Sequence, residues 1–376
     1  MTFDLRIYII ISIFIMVCIS LMIFNFAIIY YARVPSTPPS GKIKKWRTVL
    51  CWEAILFAGV GSCNEAILLT KLSATKNLVA YSHALQRLKS NLPDAYNDYI
   101  HKKYSTFQSL ANMYRQKNSI ERTCYANFVG NFPQVAGVTH GPLVDTLISY
   151  IDDSSTHCGA NVLRALCSIG TIDGVVNALQ AINDKSLFMH NQLLTNELLN
   201  FRGDKETLAE HLWSESRHWN DNIIVSVIQF ITKVSNRYRE MLMPMLQDSS
   251  VSIEVRTAII RYYGEYIYDP ARPILIEFIT NSIDSNLTIE AVSALALYPA
   301  PDTIIALKSA LSNPNWNVRY NASSTLVKLI DKAELLKILQ SESNYAREIA
   351  DYMLELESAL QSVDLQEEMD GEKVSA

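Results

Sequence analysis

A helix–turn–helix frame that returns about every thirty residues is the strongest constraint on how this 376-residue chain folds. Its clearest copy is Leu311-Ser-Asn-Pro-Asn-Trp-Asn-Val318-Arg319-Tyr-Asn-Ala322-Ser-Ser-Thr-Leu326: a helix end, a short turn, then a second helix. Val318, Ala322 and Leu326 recur every four residues and so share one helical face. With Arg319 as reference, the frame also fits Arg256 (Val255 before, Tyr263-Gly264 after), Glu290 (Ile289, Ser293, Leu297) and Arg347 (Ala346, Ala350, Leu354). Looser copies centre on Ile223, Asn191, Gly159 and Arg122, and successive reference positions fall 37, 32, 32, 33, 34, 29 and 28 residues apart. One such helix pair cannot bury its apolar face alone, whereas stacked pairs share a continuous core. The expected fold class is all-α, with an α-α superhelical solenoid over residues 104–358.

Helix-start chemistry punctuates the same region. Pro142 follows His140-Gly141, Asp204 precedes Lys205-Glu206, Pro273 follows Asp269-Pro270, and Asp302 follows Pro301. Residues 46–103 precede the clear repeats and read as a helical cap, with helices over Asn64–Lys89 and Asp94–Tyr104. Residues 359–376 carry Asp364, Glu367, Glu368, Asp370 and Glu372 with few apolar residues, a composition expected to stay disordered.

The other end differs in kind. Ile7 to Tyr31 contains no charge, and a run of that length reaches across a hydrocarbon layer of about 30 Å as a helix. The run is longer than a signal-peptide core and closes on Tyr30 and Tyr31, residues suited to a membrane–water interface. A single transmembrane helix over 5–32 is therefore expected. Arg33, Lys42, Lys44, Lys45 and Arg47 follow it, which places the repeats on the cytoplasmic side of the plasma (inner) membrane and the N-terminus outside. Pro35, Pro38, Pro39 and Gly41 make 33–45 a spacer. Glu53 and Glu65 interrupt a second apolar stretch, Val49–Leu72, which reads as a buried or interfacial helix pair.

A formal net charge of −5 argues against nucleic acid, which selects a basic face. The six cysteines show no CxxC or other metal-type spacing, and cytoplasmic thiols stay reduced. A nucleophile elbow, a phosphate loop and HExxH are all absent; Gly59-Val-Gly61-Ser lacks the phosphate-loop lysine. No catalytic, cofactor-binding or metal-ligating residue is therefore assigned.

At Asn313 to Leu326, and at Ser250-Val-Ser-Ile-Glu-Val255-Arg256…Tyr263-Gly264, the chain resembles HEAT repeats of the short bacterial type. That family shows an acidic or Asn/Pro turn, Val-Arg, alanines and then Leu-Gly. Glu290, Asn191 and Ile223 depart from it by replacing the arginine. The resemblance implies a HEAT-like scaffold that binds a protein partner, with Arg256 and Arg319 bonding to a turn or a neighbouring unit. The wider layout resembles bacterial membrane-anchored HEAT proteins found beside membrane glycosyltransferases of envelope polysaccharide synthesis, which implies such an enzyme as partner. HEAT-like repeats also occur in bilin lyases, an enzymatic alternative that needs a reactive cysteine or acid in the groove; Cys158 and Cys167 are the best-placed thiols but sit near a helical core.

Two sets of residues are candidate partner contacts. His211-Leu-Trp213-Ser-Glu215-Ser-Arg217-His218-Trp219 concentrates Trp, His and Arg in one turn, the composition of binding hot spots and equally of packing between units. His211 and His218 stand seven apart with no helper cysteine, a poor metal pair. Arg164, Asn196 and Arg261 each lie five residues past a reference position and are expected away from the helix–helix core. Tyr262, Tyr263, Tyr266 and Tyr268 read as core with one wet edge.

Overall fold

The computed structural model describes residues 65–136, 141–152, 155–282 and 284–331, with scattered positions at 16, 337, 345, 347–349 and 351–352. The chain divides into two compact units, residues 1–114 and 115–376. Every regular element among the described residues is helical.

In the first unit, α1 (Glu65–Leu72), α2 (Thr75–Asn91) and α3 (Pro93–Lys102) pack in sequence, and α4 (Tyr104–Arg115) closes it. Leu78, Tyr81, Leu85 and Leu88 make the buried stripe of α2 at three- and four-residue steps. The single helix expected over Asn64–Lys89 is two. Asn77 Nδ2 bonds the Lys71 carbonyl at 2.8 Å and Ser73 Oγ the Thr70 carbonyl at 2.8 Å, so side chains take over the carbonyls that a continuous helix would use. Pro93 starts α3, and Tyr104 belongs to the next helix rather than to the end of that one.

The second unit is a double row. α5 (Ser119–Asn131), α7 (Thr156–Ile169), α9 (Asn191–Leu199), α11 (Asp221–Val234), α13 (Ile253–Tyr263), α15 (Ser285–Ala294) and α17 (Trp316–Leu329) pack each on the next. Behind this front row stand α6 (Pro142–Ile148), α8 (Ile172–Asp184), α10 (Lys205–Glu215), α12 (Arg239–Gln247), α14 (Arg272–Asn281) and α16 (Pro301–Ala310), each against a front-row helix. Apolar positions fill the space between the rows; Val255, Ala258, Ile259 and Tyr262 of α13 are buried at helical spacing. Gly170 ends α7 at φ 82, and an added Cβ would come within 3.4 Å of the Gly203 nitrogen of the following unit. That contact would be an ordinary one, and it is the left-handed backbone that favours glycine here.

No helix among the described residues is long and apolar enough to cross a membrane. The longest, α2, has 17 residues, fewer than the ~20 a span requires, and carries Lys76, Arg87 and Lys89. This overturns the single-pass architecture and, with it, the localisation in the inner membrane. The expected span 5–32 (Met16 apart), the spacer 33–45 and the tail 359–376 lie outside the described residues.

The tyrosine run ties adjoining units together. Tyr262 Oη donates to the Ser235 carbonyl at 3.2 Å and accepts from the Tyr238 amide at 3.1 Å; Tyr298 Oη does the same with Tyr263 and Tyr268 at 3.0 and 3.1 Å. Tyr262 and Tyr263 are wholly buried, while Tyr266 and Tyr268 keep an exposed edge. Burial pushes the phenols of Tyr238 and Tyr262 up to about 12 and raises those of Tyr263 and Tyr298 as well. Unfolded tyrosines ionise near pH 10, so above that pH the unfolded chain releases protons first. Stability fully present below pH ~10 is expected to drain away as pH rises towards ~12. Urea unfolding at stepped pH checks this, and Tyr262→Phe is expected to flatten the decline.

Candidate functional site

Every front-row helix of the second unit opens on a side-chain cap: Asn118, Ser155, His190, Asn220, Ser252, Asp284 and Asn315. These caps hold the backbone amides that a helix start leaves unpaired, and they fix the register of each unit. Arg122, Arg256 and Arg319 fall four residues past their caps. Register is corrected in three other units, among them α11, where the matching position is Ile224 and not Ile223. In α15 the matching position is Thr288, not Glu290; buried Thr288 bonds the Phe278 carbonyl at 3.2 Å. In α9 it is Leu194, not Asn191.

Nine residues past the caps lies a second series, facing away from the paired row: Arg164, Leu199, Gln229, Arg261 and Ser293. Here side chains reach from each unit to the next. Arg164 grips buried Glu197 with Nε 3.0 and 3.1 Å from its two oxygens. Thr195 Oγ1 donates to Gln229 Oε1 at 2.9 Å, Lys233 pairs with Glu265 at 3.1 Å, and Arg261 pairs with Glu290. The guanidinium pKa values of Arg164 and Arg261 are raised by these carboxylates.

Two adjoining cavities open between these links. One of about 420 Å³ is bounded by α9, α11, α13 and α15, with Thr195, Lys233, Gly264 and Ser293 in its walls. One of about 250 Å³ lies towards the capped ends of the same helices, with Asn191, Glu254 and Thr257. Gln229, Ala258, Arg261 and Glu290 line both, so the two form one groove. Of the sequence candidates, Arg261 is central to it. Asn196 is exposed one turn before Leu199 and accepts from Gln192 at 3.2 Å, outside the cavity linings. Arg164 lies on the preceding helix, α7. Sequence reasoning missed Gln229, because its five-residue offset was counted from an unaligned reference; the cap at Asn220 was the signal that finds it.

Residues 273–355 match the family model for HEAT repeats. That stretch runs from the first turn of α14 through α17, so the front row and its groove continue directly into the part of the chain that is similar to HEAT repeats. No curated protein matches the chain. Neither result points to bacterial membrane-anchored proteins. Within the HEAT match, Arg319 Nη1 bonds the Asn313 and Pro314 carbonyls at 2.8 and 2.9 Å, and its guanidinium lies 5.3 Å from the Trp316 ring centre. Arg256, just before it, stacks on Phe278 of α14 at 5.8 Å. Both arginines hold turns and neighbouring helices.

The Trp-His-Arg turn comes apart when placed. Trp219 is 5% exposed, and its Nε1 donates to Gln180 Oε1 at 2.8 Å. Trp213 is half-buried, edge-on to Tyr238 with centroids 5.7 Å apart. Arg217 and His218 are exposed on a 3-10 turn, Ser216–His218. No described cysteine lines the groove: Cys158 and Cys167 are buried in α7, and burial pushes both thiols up, away from thiolate. Among the described residues no cluster of His, Cys, Asp or Glu has the grouping to hold a metal ion.

Proposed function

We propose that this chain is a protein-interaction scaffold whose partner docks in the groove across α9, α11, α13 and α15. The observation that supports it most is the continuity of that groove over four successive units, on the face opposite the paired row. Stacked repeats present extended surfaces of this kind, and many small contacts along one suffice for binding. Arg261 stands at its centre and Asn196 on its margin; Trp219 is committed to the interior. For the lyase alternative, no described thiol stands at the groove, and the carboxylates Glu265 and Glu290 are paired with Lys233 and Arg261.

A photo-crosslinking side chain at Leu199, compared with one at Ile305 on the back row, tests the reading. The full chain is irradiated in cells that express it. A discrete protein adduct from position 199 and none from 305 is the expected result. Equal labelling from both positions, or none from 199, overturns it.

A further inference from the structure

We infer that the groove takes an extended, uncharged stretch of the partner chain, held by its backbone rather than by charged side chains. This rests on the scaffold reading and narrows its partner. The first observation is charge. Lys233 and Arg261, the two cations of the larger cavity, are each neutralised by a carboxylate one unit on, Glu265 and Glu290. The larger cavity thus keeps no surplus charge to attract an acidic or basic segment, Glu254 standing exposed at the capped end of the smaller one, and pulling either ion pair apart for a charged ligand exchanges one pair for another.

The second observation is an unused donor. Gln229 lines both cavities, and its Oε1 is occupied by Thr195 Oγ1. Its Nε2 has no hydrogen-bond partner among the described residues and offers two N–H groups to whatever enters. Backbone carbonyls of an extended chain supply acceptors at regular intervals. The third is the floor. Ala258, Ala294 and Gly264 keep it shallow in side-chain bulk, so a main chain can approach closely. No aromatic ring lines either cavity, which removes the stacking platform that bases use. Four helices at about 8–10 Å spacing give roughly 24–30 Å of groove, about eight residues of extended chain.

The test selects displayed random dodecapeptides on the immobilised full chain, then measures one fluorescein-labelled winner against the parent, Gln229→Ala and Thr257→Arg. Gln229→Ala removes the donor. Thr257→Arg narrows the rim at a half-exposed position, where folding is little affected; circular dichroism confirms helix content for both. Expected are winners without net charge, affinity that changes less than twofold between about 50 and 500 mM salt, and a five- to tenfold loss in each variant. Enrichment of acidic or basic winners overturns the inference and leaves the scaffold reading standing. So does a folded domain or a glycan crosslinked at Leu199 when no peptide is selected. Neutral winners that bind both variants as tightly as the parent place the peptide elsewhere and also overturn it. Absence of any adduct at Leu199 is the separate failure of the scaffold reading.

Discussion

Trp219→Ala is expected to lower the unfolding free energy of the full chain by about 3–5 kcal/mol, the cost of emptying a large aromatic site in a packed interior. The ring is 5% exposed and lies between two tethers. Its own Nε1 reaches Gln180 Oε1 of α8 at 2.8 Å, and the next residue, Asn220, donates its amide to Asn183 Oδ1 at 2.8 Å while capping α11. One turn thus joins the unit containing α8 to the unit that begins at α11. In a stack where each unit touches only its neighbours, an emptied joint weakens cooperation along the whole row. Urea unfolding followed by circular dichroism should show an earlier and broader transition. Trp219→Phe keeps most of the ring but strands Gln180, and about 1 kcal/mol is expected to be lost. His218→Ala, exposed one residue earlier, should change stability by less than about 0.5 kcal/mol. An unchanged transition in Trp219→Ala would place the ring outside the interior.

What could be read from the sequence was chemistry settled within a few residues. Pro142, Asp204, Pro273 and Asp302 mark helix starts because proline and cap residues act on the adjacent backbone, and each stands at or beside a helix N-terminus. Structural roles for Arg256 and Arg319 were implied by the resemblance to HEAT repeats, which a Val-Arg frame repeating in residue type as well as spacing carries. Register failed where local signals compete. Around α15, Ser282, Asp284, Ser285 and Asn286 are all cap-type residues, and only the structure shows that Asp284 takes the Asn286 and Leu287 amides. His190 caps α9 through Nδ1 at 3.2 Å, a use of histidine that the residue type does not announce.

The groove was legible only at Arg261, for a different reason. Its residues lie about thirty positions apart, and only aligned caps bring Gln229 and Arg261 into one series. The membrane expectation rested on length and apolarity of one segment. The described helices are instead short and amphipathic, built to face one another across two rows.

Arg164→Ala is expected to cost about 2–3 kcal/mol, below the value for a fully enclosed pair because half of the arginine side chain meets solvent. The cost comes from Glu197. Its side chain is 4% exposed, and both oxygens are held by the guanidinium, which leaves a desolvated carboxylate without compensation once Arg164 is gone. Arg164→Lys should recover only part of the loss, since an ammonium cannot bond two oxygens in a planar fork. Adding Glu197→Gln to Arg164→Ala should recover more, because it removes the buried charge itself. Arg261 occupies the same position relative to its cap and provides the control. Its partner Glu290 is 23% exposed and retains water, so Arg261→Ala should cost less than about 1 kcal/mol and stay folded for binding measurements. Urea midpoints of the five proteins decide the matter. Equal losses at the two arginines would show that burial of the carboxylate does not govern how these units are joined.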